Sequence, residues 1–110
     1  MILTEGGYYG TTCFLAQQIV EKYLKGFLVL HGKKFTKIHD LVKLLNDCAE
    51  YDQNFLQFLD DCILLNEYYI ESRYPLDAPI DYSRKEARQA LSIAEKIMNY
   101  IASKVKESRV

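Results

Sequence analysis

Arg73 is the single basic residue between Leu44 and Ser83, a segment that carries nine acidic residues. A guanidinium offers a planar fork of donors that fits a phosphate or a carboxylate. Asn66, Tyr69 and Arg73 stand at i, i+3 and i+7, so on a helix their side chains form one column. Such a column can hold a nucleotide, with the cation on the phosphate and Tyr69 or the neighbouring Tyr74 stacked on the base. Arg73 can equally cap its own helix end, beside the negative pole of the dipole, or pair with Asp77 or Asp81. Both readings stay open at this level. His39 is the imidazole that folding could bring near this column. At the start of a helix, though, a histidine is more often a structural hydrogen-bond donor than a catalyst. Lys22 and Lys25 can add positive charge from the first helix.

The element that must position these groups is the stretch from Phe14 to Leu30. At a helical period it is apolar nearly all round, and Gln17, Gln18, Glu21, Lys22 and Lys25 fall on one strip. Such a helix is the central member of a bundle. Glu21 stands four residues before Lys25, the favourable order for a helical ion pair. The strip is expected to be a wet edge, or the border of a groove or partner surface.

Helix one is predicted over residues 8–31, with Gly32 as its C′ residue and Lys33, Lys34 and Lys37 as a basic turn beyond. Those lysines are expected to be solvated, with phosphate contact the less favoured reading. Helix two is predicted over residues 38–50, capped by Thr36, with Asp40 and His39 in its first turn. Leu41, Val42, Leu45 and Cys48 or Ala49 form its buried stripe. Helix three is predicted over residues 54–72 and stops before Pro75, because the residue before a proline avoids helical geometry. Ser83 and Glu86 make a capping box for helix four, predicted to run to about residue 106. Its stripe is Ala87, Ala90, Leu91, Ala94, Ile97, Met98, Ile101 and Val105. No strand, repeat or low-complexity segment is visible. The fold class is all-α, an up-and-down four-helix bundle joined by short loops.

A length of 110 residues suits one domain, and 49% hydrophobic residues support a core. The net charge of −1 argues neither for nor against nucleic acid. Cys13, Cys48 and Cys62 are odd in number and lack a Cys-x-x-Cys spacing, so neither a zinc site nor a redox motif is expected. They read as small buried hydrophobes in a reducing cytoplasm. No signal peptide or membrane-spanning run is apparent. No cofactor is implied.

Taken together, these pieces resemble the HEPN domain. That family carries a helix of the form Phe-x-x-Gln-Gln-x-x-Glu-Lys-x-x-Lys, here Phe14, Gln17, Gln18, Glu21, Lys22 and Lys25. A His-Asp-Leu-x-x-Leu helix start follows, here His39, Asp40, Leu41 and Leu44. A tyrosine-rich helix ending in Arg-Tyr-Pro comes next, here Tyr68, Tyr69, Arg73, Tyr74 and Pro75. An alanine-rich amphipathic helix completes the order. The resemblance covers about residues 8–105. It implies a helical bundle that dimerises, in bacteria or archaea, often produced with a separate minimal nucleotidyltransferase. The fold is also similar to the substrate-binding domain attached to some nucleotidyltransferases. Family members bind nucleotides or RNA, and some are metal-independent ribonucleases of toxin–antitoxin systems. Two departures stand out. The helix that usually precedes Phe-x-x-Gln-Gln looks truncated or absent. The ribonuclease branch places a histidine after its arginine with four to six residues between them, where this chain has Ala78, Pro79 and Ile80 and no histidine.

The expected function is therefore a non-catalytic HEPN protein. It would bind a nucleotide or nucleic-acid fragment through Arg73, Tyr69, Tyr74, His39, Lys22 and Lys25, as partner of a nucleotidyltransferase. A divergent metal-independent ribonuclease toxin and a purely structural interaction subunit are the alternatives.

Overall fold

A computed structural model describes residues 9–34, 37–69 and 82–108. Among them the chain forms four α-helices, α1 (Tyr9–Leu30), α2 (Leu41–Ala49), α3 (Leu59–Asn66) and α4 (Arg84–Ser108), with a 3-10 segment (Gln53–Phe58) leading into α3. No strand occurs among the described residues. The molecule is an all-α bundle.

The first helix is the axis of this bundle, because its apolar positions recur at both three- and four-residue steps. Cys13, Ala16, Val20, Leu24, Phe27 and Leu28 are all buried. They pack along α4, which is the most extensive helix pairing, and against α2. The stripe of α4 is Ala87, Ala90, Ile93, Ala94, Ile97 and Ile101; Leu91, Met98 and Val105 lie half-buried at its margins. Small alanines at the front of α4 let the two helix axes approach closely.

Local chemistry explains the helix ends. Gly32 has φ +87°, the left-handed conformation that a side chain disfavours. Its N–H donates to the Val29 carbonyl at 3.0 Å, and the Lys33 N–H donates to the Leu28 carbonyl at 2.9 Å. These are the two bonds of a Schellman cap. The expected capping box opens α4. The Ser83 N–H donates to Glu86 Oε1 at 2.9 Å, and the Glu86 N–H donates to Ser83 Oγ at 3.0 Å.

Two expectations change. Helix two starts at Leu41 rather than residue 38, and its cap is Asp40, whose carboxylate accepts from the Val42 and Lys43 N–H groups. Thr36, the cap expected from sequence, lies outside the described residues. His39 is thus in the approach to α2, not its first turn. Leu44 replaces Val42 in the buried stripe.

The third helix is also shorter than expected. Asp52 caps a 3-10 segment by accepting from the Asn54 N–H. Three residues per turn put Phe55 and Phe58 on one side. Both meet the Tyr100 ring edge-on, at 5.2 and 5.1 Å between centroids. The α-helix then ends at Asn66, so Asn66 and Tyr69 do not share a continuous helix face. The predicted residues 70–72, with Arg73 and Tyr74, lie outside the described residues.

Candidate functional site

Most of the polar strip of α1 is not a wet edge: of its five residues only Lys22 is exposed, and Gln18 is half-buried. Gln17 is fully buried, Glu21 is 3% exposed and Lys25 is 7% exposed. At i, i+4 and i+8 these three line up under the segment that leads into α2. That segment crosses directly above them. Gln17 Nε2 donates to the His39 carbonyl at 3.2 Å. The Gln17 carbonyl oxygen accepts from Gln18 Nε2 at 2.7 Å.

Glu21 is the hub. Lys25 Nζ donates to its Oε2 at 2.9 Å, and Gln17 Nε2 reaches its Oε1 at 3.3 Å. His39 Nδ1 lies 3.0 Å from Oε2 and 3.1 Å from Oε1. Burial alone would raise the pKa of this carboxyl. The hydrogen bonds from Lys25, His39 and Gln17 outweigh burial and hold it below the ordinary value. An ionised carboxylate can only accept, so Nδ1 of His39 carries a proton toward it and Nε2 points away from Glu21.

The His39 ring stacks on Tyr69, with centroids 4.5 Å apart and planes 18° from parallel. Phe14 supports Tyr69 from α1 at 6.4 Å. Asn66 fixes this end of α3 to the start of α2. Its Oδ1 accepts from the Leu41 N–H at 2.8 Å, and its Nδ2 donates to Asp40 Oδ1 at 2.8 Å. His39, Asp40, Asn66 and Tyr69 together line an open hollow of about 600 Å³.

Two of the residues singled out from sequence therefore meet, His39 and Tyr69. Lys25 is tied to them through Glu21. Lys22 is exposed and lines a different hollow, an apolar groove between α1 and α4 that includes Gly26, Phe27, Leu30 and Val105. Arg73 and Tyr74 lie outside the described residues. Sequence reasoning placed Asn66 in the column with Tyr69 but gave it no role, missed Asp40 as a lining group and treated Glu21 only as a helical ion-pair partner. The four-residue spacing of Gln17, Glu21 and Lys25 was the available signal, since three polar residues in line on an otherwise apolar helix need buried partners.

Among the described residues, no group of His, Cys, Asp or Glu side chains is placed to hold a metal ion. No described helix is long and apolar enough to cross a membrane. Neither the curated proteins nor the solved structures contain a match to this chain. The family model for the HEPN domain matches residues 1–105. That match, over nearly the whole sequence of a helical bundle, places the chain in the HEPN domain family.

Proposed function

We propose that this HEPN-domain chain is a non-catalytic binding protein that takes a nucleotide or RNA fragment and works beside a separate minimal nucleotidyltransferase. The observation that carries the reading is the His39–Tyr69 stack at the rim of an open hollow. Two near-parallel rings, one of them held by Glu21, form a stack whose outer ring face a base can extend. A base stacked on such a platform gains on the order of 1–3 kcal/mol. Asp40 and Asn66 supply polar groups at the same rim for the edge of a base. Arg73, four residues after Tyr69 in the sequence, is the cation proposed for the phosphate, with Tyr74 beside it. The partner, the homodimer and a toxin–antitoxin setting follow from the family resemblance.

The test is nucleotide titration by calorimetry with the full chain. Tyr69→Ala and Arg73→Ala should each weaken binding about tenfold while leaving the helical circular dichroism signal unchanged. Unaltered affinity in both variants would remove the site. Copurification from the native host should recover a nucleotidyltransferase.

The Glu21–His39 pair favours a second reading, ribonuclease activity. A buried carboxylate that fixes one imidazole nitrogen leaves the other poised as a general base. Nε2 of His39 could take the proton of a ribose 2′-hydroxyl as that oxygen attacks the adjacent phosphorus. The 5′-oxygen of the next nucleotide would leave with a proton from water. RNA incubated with the purified chain in chelator should then be cut, and cutting should vanish in His39→Ala. Intact RNA after long incubation dismisses this reading.

A further inference from the structure

A second hollow of about 240 Å³ opens on the other side of Glu21. Its lining brings together Lys25 from the middle of α1, Lys33 and Lys34 from the turn after the Schellman cap, and Lys43 from α2. Asp47 is the acidic residue in the same lining, and it pairs with Lys43 at 3.0 Å. Lys25 is paired with Glu21. Among the described residues no carboxylate lies within ion-pair distance of Lys33 or Lys34. The negative pole of α1 accounts for cations just beyond its end. It does not account for Lys43 of α2 facing the same concavity. With Lys25 and Lys43 balanced by Glu21 and Asp47, the charges of Lys33 and Lys34 remain, and the field they create favours an anion there.

The position of this hollow says which anion. Lys25 Nζ and His39 Nδ1 touch the same oxygen, Glu21 Oε2, at 2.9 and 3.0 Å. Lys25 lines the lysine hollow and His39 lines the stacking hollow, so one lining residue of each meets at this single carboxylate oxygen.

We propose that the hollow formed by Lys25, Lys33, Lys34 and Lys43 is a phosphate subsite for a nucleotide whose base occupies the His39–Tyr69 platform. The proposal rests on the stacking site proposed above. Several lysines around one hollow suit more than one negative charge, so the ligand class is a nucleoside triphosphate or a nucleotide unit within a short single strand.

The full chain is titrated with adenosine, AMP, ATP, the trinucleotide r(A)3 and pyrophosphate, followed by amide NMR and calorimetry. ATP or r(A)3 should bind more tightly than adenosine and shift the amides of Lys33, Lys34 and Lys43. Preference for ATP identifies a free nucleotide, and preference for r(A)3 a strand. Lys33→Ala/Lys34→Ala, at exposed positions that leave folding intact, should cut the advantage over adenosine about tenfold and leave adenosine binding unchanged. An undiminished advantage in that double variant overturns the subsite while sparing the platform. Pyrophosphate shifts at these amides without any adenosine binding would keep the anion site and overturn its link to the platform. Failure of every probe overturns both.

Discussion

The Glu21 carboxylate, in the fourth turn of the central helix, reaches the His39 imidazole at 3.0 Å from 18 positions earlier in the chain. The contact fastens the α2 approach to α1 and shares its acceptor oxygen with Lys25. Removing the negative charge should therefore unsettle two cationic or donor groups at once. Glu21→Gln leaves the Lys25 ammonium buried without its counter-charge, a loss of about 3 kcal/mol. Urea unfolding should show it as a lower midpoint with an unchanged slope. A Glu21→Leu/Lys25→Leu double variant should recover part of the loss, because no charge is then left stranded.

Acid should act through the same carboxyl. The folded-state pKa of Glu21 lies below its ordinary value of 4.5, through Lys25, His39 and Gln17 overcoming the upward push of burial. A depressed carboxylate contributes stability that is present above the unfolded value and lost as pH falls through the folded one. Asp52 behaves alike, held down chiefly by the Tyr100 hydroxyl, which donates to it at 2.6 Å. Stability should accordingly be level above about pH 5 and decline below it. The Glu21→Gln variant should show a smaller decline. Acid titrations followed by circular dichroism compare the two slopes.

The three thiols should be silent in the native state. Burial pushes Cys13 up to about 11 and Cys48 and Cys62 up to about 12. All three are free and buried. The thiolate is the reactive form, so a disulfide reagent at pH 8 should label none of them until the chain opens. Labelling rates should rise with denaturant in step with unfolding. A rapid burst in native buffer would contradict the packing described here.

The cap of α1 gives a prediction with a defined sign. Gly32 sits at φ +87° with open space around its α-carbon, so a methyl group meets no neighbour there. Gly32→Ala should still cost about 1–2 kcal/mol, because the penalty lies in the left-handed backbone and not in a clash. Thermal unfolding measures it. Gly26→Ala on the same helix, also with open space but an ordinary helical conformation, should stabilise by up to about 1 kcal/mol.

Local signals made much of this molecule readable in advance. Gly32 stops α1 and the Ser83–Glu86 box starts α4, since each works through backbone groups within a few residues. The apolar stripes of α1 and α4 fixed the helices, because a 3.6-residue period depends on side-chain order alone. Spacing put Gln17, Glu21 and Lys25 in line but named no partner, for a polar strip becomes an interior spine only when another segment lies across it. Nor could spacing show that α3 would end at Asn66, whose side chain is taken up by Leu41 and Asp40 some 25 residues away. The stacking of Tyr69 on His39, and the convergence of four lysines on one hollow, were settled only when three distant parts of the chain met around Glu21.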